Sequence, residues 1–274
     1  MAPELDPAIA AHYEHDPERD RLETWARLEA LRTRELLSRS LPPPPATVLD
    51  VGGARGAYAL RLAREGYGVH LIDLWEPHVE AAALASANQP DAPLASVALG
   101  DARALPFSDA SVDAVLLLGP LYHLAAAGDR AQALAEACRV MRSGGVLFAA
   151  AISRFASTFD GLRSGAISDP VFETIVEGDL RDGVHRNPDP QGRPEWFTLA
   201  YFHRPEELRE ELATAGLTDI QIVAVEGPGS FRDLDASLDD PTCRDALLRA
   251  IRRVEDEPTL MGASAHLMGI GRIP

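Results

Sequence analysis

The stretch Val48-Leu-Asp-Val-Gly-Gly-Ala-Arg-Gly56 constrains the fold of this chain more than any other. A short apolar run passes into glycines and then into an alanine- and leucine-rich pattern of helical period, so a buried strand must turn sharply into a helix. From Ala46 onward the alternation repeats. Strands are expected at 47–51, 69–72, 96–99, 113–118, 146–152, 220–225 and 264–270, with helices at about 57–65, 77–87, 129–141, 205–215 and 241–256. Such alternation specifies an α/β fold: a doubly wound, mostly parallel sheet with crossover helices on its faces.

A strand that runs through a glycine turn into a helix gathers backbone N–H groups at one point, which suits a nucleotide-like ligand. Spacing narrows the choice. The dinucleotide fingerprint Gly-x-Gly-x-x-Gly fits no register of Gly52, Gly53 and Gly56. The pattern acid-x-Gly-x-Gly-x-Gly does fit from Asp50, with Gly52 and Gly56 in place and Ala54 where the middle glycine would stand. Asp73 closes the second strand ~20 residues after the turn, placed to accept both hydrogen bonds of a ribose diol. The third strand ends in Gly100-Asp-Ala and the fourth in Gly119-Pro-Leu-Tyr-His-Leu124. Ligands of such sheets lie beyond the carboxyl ends of the strands, so Tyr122 and His123 are candidates for the chemistry. An imidazole with an ordinary pKa near ~6.5 is suited to be a general base, and a core histidine that merely holds the loop is the competing reading.

Composition removes whole classes of function. All 26 basic residues are arginine, and the chain has no lysine. Schiff-base chemistry and a Walker-type phosphate loop are excluded, because guanidinium does not replace an amine there. A net charge of -16 opposes a surface for nucleic acid or anionic membranes. Cys138 and Cys243 have no metal-ligand or disulfide spacing, and no His/Asp/Glu cluster has metal-ligand spacing, so no metal is expected. No stretch approaches ~18 uninterrupted apolar residues, and the start lacks a secretory pattern, which together imply a soluble cytoplasmic protein.

Two flanking regions do not follow the alternation. Residues 1–45 are expected as an N-terminal helical cap: a polar leader holding His12, Tyr13 and His15, then one amphipathic helix over about 17–39 with Leu22, Trp25, Leu28, Leu31 and Leu36 on one face. Residues 46–274 form the main domain, with insertions at about 154–202 and 227–258. The first holds a large share of the aromatics and is expected as a lid or substrate pocket, with His185, Arg186 and Asn187 as its notable polar residues and His185 as a further candidate base.

Residues 48–56, Asp73, Gly100-Asp-Ala-Arg-Ala-Leu-Pro-Phe107 and Arg142-Ser-Gly-Gly145, taken in order, resemble the class I S-adenosylmethionine-dependent methyltransferases of the small-molecule type. The resemblance covers about residues 46–153. It implies a Rossmann-like, seven-stranded sheet whose last strand is antiparallel, and S-adenosylmethionine as cofactor. It carries Asp50, Gly52, Gly53, Ala54 and Gly56 to the first cofactor loop, Asp73 and Leu74 to the ribose, Asp101 and Ala102 to the adenine edge, and Leu118 and Gly119 to further cofactor contacts. Tyr13 would fold over the cofactor, as N-terminal segments often do in that family. Tyr122, His123 and His185 stand as candidates beside a small-molecule methyl acceptor, transferred in line to N, O or C. A cofactor-binding protein that does not methylate, and more remotely a nicotinamide oxidoreductase, are the alternatives; a homodimer stays open.

Overall fold

The computed structural model describes residues 5–189, 191–231 and 235–274. The first four residues of the leader, and positions within both insertions (190 and 232–234), lie outside the described residues.

The first element among the described residues is a short helix, α1 (Pro7–Tyr13), where a polar leader was expected. Asp6 caps it by accepting from the Ala8 N–H at 2.9 Å, and Pro7 opens its first turn. A 3-10 turn at Arg21–Glu23 follows, and the amphipathic helix α2 starts only at Arg27 and ends at Ser40. Trp25, expected on the buried face, is 72% exposed because it precedes the helix. The apolar face of α2 is shorter than expected: Leu28 joins Leu238 and Ile251, while Leu36 and Leu37 enter the main core. Arg32 is fully buried and donates to Glu35, Glu255 and the Val225 carbonyl, which ties α2 to the far end of the domain.

The alternating region then proceeds through β1 (Thr47–Val51), α3 (Ala59–Arg64), β2 (Gly68–Asp73), α4 (Glu76–Ala87), β3 (Ser96–Leu99), β4 (Val112–Leu117), α5 (Pro120–His123), α6 (Ala127–Val140) and β5 (Met141–Ser153). Strands β1 and β4 are buried along nearly their whole length, as a parallel sheet covered on both faces requires. After β5 come α7 (Ala156–Ser164), α8 (Pro170–Asp182), β6 (Val184–His185), β7 (Ala200–His203), α9 (Pro205–Thr214), β8 (Thr218–Ala224), α10 (Asp235–Asp239), α11 (Pro241–Arg252), α12 (Pro258–Met261) and β9 (His266–Arg272).

The sheet runs β3-β2-β1-β4-β5, all parallel, and continues on β5 with β9 antiparallel and β8 beyond it, also antiparallel to β9. Among the described residues it holds nine strands where seven were expected. The two extra strands come from the first insertion. β7 pairs with Ile152 and Ser153, past Ala149 where the β4 pairing ends, and β6 folds back on β7. The sequence hid them because they are only two and four residues long, too short for a period-two pattern.

Candidate functional site

Strands β1, β2 and β4 end side by side, and their loops bound a cleft of about 1020 Å³. Gly52 holds φ at +68°, and a Cβ there would come within 2.8 Å of the Pro120 ring, so the first loop and the loop after β4 can meet only at a glycine. Gly53 is equally closed, since a Cβ would lie 2.8 Å from Asp50 and from Leu71. Ala54 adopts φ +47°, the left-handed conformation that glycine would take freely. Helix α3 begins only at Ala59, two residues later than the pattern suggests, because the loop turns again at Gly56.

Ten of the twelve expected cofactor residues line this cleft: Tyr13, Asp50, Gly52, Ala54, Asp73, Leu74, Asp101, Ala102, Leu118 and Gly119. Gly53 and Gly56 are not among its lining residues; they shape the loop from behind. The Asp73 carboxylate accepts from the Ala54 N–H at 2.8 Å and the Trp75 N–H at 2.9 Å, and faces His78 Nδ1 at 3.3 Å. Each carboxylate oxygen has two lone pairs, so Asp73 keeps accepting capacity toward the cleft. Asp101 is drawn to Arg103 at 2.7 Å; burial alone would raise its pKa, and that guanidinium brings it below the usual carboxylate range.

Asp50 differs from both. It is 1% exposed, and neither carboxylate oxygen has a hydrogen-bond partner, the neighbouring Ala59 N–H lying out of alignment. Burial first, and the charge of Asp73 second, push its pKa up to about 7. A buried carboxylate without a donor is costly unless a cationic group comes to it.

On the opposite wall α1 brings Tyr13 over the cleft. Its hydroxyl is 2.7 Å from His123 Nε2, and its ring packs edge-on against His78 at 5.0 Å. His123 sits at the end of α5 with its Nδ1 buried and unpartnered, the Leu199 backbone being near but off geometry. Burial first, and His12 second, hold its pKa down to about 4, so the imidazole is neutral near pH 7 and shares a hydrogen bond with the Tyr13 phenol. Burial raises the Tyr13 and Tyr122 phenols well above their ordinary value. Two of the three candidates for proton removal therefore line the cleft, with His123 capped by Tyr13.

The third, His185, does not reach the cleft. It is 2% exposed, with Nδ1 at 3.0 Å from Asp179, Nε2 at 2.8 Å from the Trp196 carbonyl and its ring stacked on Phe202. It is a core residue of the insertion. Asn187 braces the same loop through the Arg193 and Phe197 carbonyls. The aromatic insertion as a whole is less of a lid than expected. Phe172, Ile175, Val176 and Trp196 form a small core of their own, Leu199 alone lines the cleft, and Phe197 backs the His123 ring at 5.7 Å.

Sequence reasoning missed the polar wall supplied by residues 18–34. Arg21 pairs with Glu29 at 2.5 Å and Glu18 at 3.0 Å, and next to Glu29 lies His266, whose Nδ1 is 2.6 Å from buried Glu226. Burial opposes charge on His266, but Glu226 and Glu29 outweigh it and raise its pKa to about 9. Glu29, Glu226 and His266 could offer three ligand atoms to a metal. With no metal bound, the imidazole between two carboxylates makes the cluster an ion-pair network. These residues are far apart in sequence, and no local spacing signals them.

The parallel sheet, the glycine turn at its centre and the carboxylates at the ends of β1, β2 and β3 define a Rossmann-like domain built for an adenosyl ligand. Residues 49–149 match the family model of a methyltransferase domain, in keeping with the resemblance to the class I S-adenosylmethionine-dependent enzymes. The chain is 34% identical over 122 residues to the ubiquinone/menaquinone biosynthesis C-methyltransferase UbiE of Acidiphilium cryptum, over 44% of this chain and 48% of that protein. The match thus spans about half the length of that curated relative. Among solved structures, a chain of the Haloferax volcanii complex with the Trm112 methyltransferase activator superposes with a TM-score of 0.59 at 21% identity, covering 99% of this chain and 100% of that one. A SAM-dependent methyltransferase of Methanosarcina mazei gives 0.56 at 16% identity over 87% and 96%. These structural likenesses establish the fold. The cofactor of the family is S-adenosylmethionine.

Proposed function

We propose that this protein transfers a methyl group from S-adenosylmethionine to a small molecule held beneath the N-terminal segment. The observation that carries the reading is the buried Asp50 carboxylate, which lines the cleft with both oxygens unpartnered, beside Asp73 at the next strand end. Asp73 is suited to a ribose diol, Asp50 to the cationic end of the cofactor, and Asp101 with Ala102 to the base.

Bound there, S-adenosylmethionine would supply an electrophilic methyl group. The work left to the protein is orientation and exclusion of water. Tyr13, Tyr122 and His123 close the cleft opposite the first loop. Phenols held this far above their usual pKa donate hydrogen bonds and do not remove protons near neutrality, and His123 Nε2 is already engaged by the Tyr13 hydroxyl. The site therefore favours an acceptor that is nucleophilic without help from a histidine base, such as a neutral amine or an electron-rich carbon. Carbon methylation is also the reaction named for the UbiE relative. The capped histidine equally supports a second reading, in which the bound cofactor serves only as scaffold.

Incubation of the purified protein with S-adenosylmethionine labelled in its methyl group, together with a small-metabolite extract, separates these readings. Label appearing in a small molecule is expected. Label that stays wholly on a tightly bound cofactor would favour the scaffold.

A further inference from the structure

Seven arginines line the cleft, and all but two meet a carboxylate: Arg19 and Arg55 share Asp16, Arg21 holds Glu18 and Glu29, Arg61 holds Glu65, and Arg103 holds Asp101. Arg64 is exposed and rests on the Leu60 carbonyl. Arg34, in the middle of α2, is the exception. It has no ion pair or hydrogen bond among the described residues, and its Nε is buried. The chain carries 42 acidic residues against 26 arginines, so an unpaired arginine in a cleft does not reflect a shortage of carboxylates.

Beside it lies a second unsatisfied donor. The Tyr58 hydroxyl, on the loop that follows Gly56, is buried without a hydrogen bond; Thr33 is close but does not meet it in bonding geometry. Arg34 is near enough to favour the ionised phenol, although burial outweighs that effect. Both side chains line the same cleft as Asp50. A guanidinium fork and a phenol O–H, both donors and both unfilled, complement a planar anion with several acceptor oxygens.

We infer that Arg34 and Tyr58 form a receptor for a ligand carboxylate in the cleft. This rests on the cofactor reading above. The carboxylate has two sources, the amino-acid tail of the cofactor or an acidic acceptor, and neither residue belongs to the glycine pattern that announces the site.

Calorimetric titrations with S-adenosylmethionine and with its decarboxylated analogue test the receptor in wild type, Arg34→Met, Arg34→Lys and Tyr58→Phe proteins, each checked for folding by circular dichroism. If the cofactor tail fills the receptor, wild type prefers the carboxylated ligand by about tenfold or more, about 1.4 kcal/mol. Arg34→Met then abolishes the preference, and Arg34→Lys and Tyr58→Phe reduce it. If the acceptor fills it, both adenosyl ligands bind alike, and benzoate, used as a probe carboxylate on protein saturated with S-adenosylhomocysteine, binds wild type but not Arg34→Met. Adenosyl binding with no effect of Arg34 in either arm overturns the receptor alone. No binding of either adenosyl ligand by folded wild type overturns the cofactor reading and the receptor with it.

Discussion

Asp50, near the end of β1, and Ala54, in the loop that follows, both hold a charge state or conformation that stability alone would not select. The Asp50 pKa of about 7 in the folded state lies above the 3.8 of a free carboxylate. Between those values the folded protein binds more protons than the unfolded chain, so this group's contribution to stability falls as pH rises from about 4 to 7. Asp50→Asn removes the buried charge at constant shape. Its stability should match wild type near pH 4 and exceed it above pH 7, by up to about 4 kcal/mol before the amide's own burial is offset, read as a pH-dependent difference in melting temperature. Affinity for S-adenosylmethionine should fall in the same variant, and equal melting differences at both pH values would contradict the assignment. Ala54→Gly should raise stability by up to about 1 kcal/mol in urea melts, because φ +47° strains an alanine. The departure at Ala54 was legible in the sequence; the orphaned state of Asp50 was not, since it depends on which donors fail to reach it.

At the scale of elements, the strand ends were the most legible part. The carboxylates at the carboxyl ends of β1, β2 and β3 lie where a parallel sheet delivers them, and strand boundaries there differ from expectation by a residue or so. Regions without the alternation misled. The run 17–39 has helical spacing, yet α2 begins at Arg27, and the segment before it folds as α1 with the short turn at Arg21–Glu23. Asp6-Pro7 was the available signal for α1, an N-cap followed by proline. His185 illustrates the other failure. A histidine in an aromatic insertion looks chemical in sequence, but Asp179 is 1% exposed and accepts from both Ser157 and the imidazole. Removing that partner leaves the buried carboxylate to Ser157, so His185→Ala should destabilise the fold by about 2 kcal/mol in chemical denaturation. Its cofactor affinity should stay unchanged when measured on folded protein; a specific loss of affinity would return His185 to the site.

Across the whole molecule, the cleft is a joint product of the sheet and the segment before it. Residues 49–149 carry the recognisable pattern and the cofactor's expected polar contacts. The opposite wall, with Tyr13, Arg21 and Arg34, comes from residues that precede the pattern and are joined to the sheet by long-range ion pairs such as Arg32 to Glu255 and Arg39 to Glu255 at 2.7 Å. Apart from Tyr13, that wall was illegible because its members meet only after folding, while the motif wall is nearly contiguous in sequence. It also explains why the cofactor could be read from the chain and the acceptor could not. Titration of the folded protein with S-adenosylmethionine, in wild type and Asp73→Ala, tests the central claim most directly. Saturable one-to-one binding that weakens by about tenfold or more in the variant, about 1.4 kcal/mol, is the predicted result; no binding at millimolar ligand, or identical affinity in the two proteins, would contradict it.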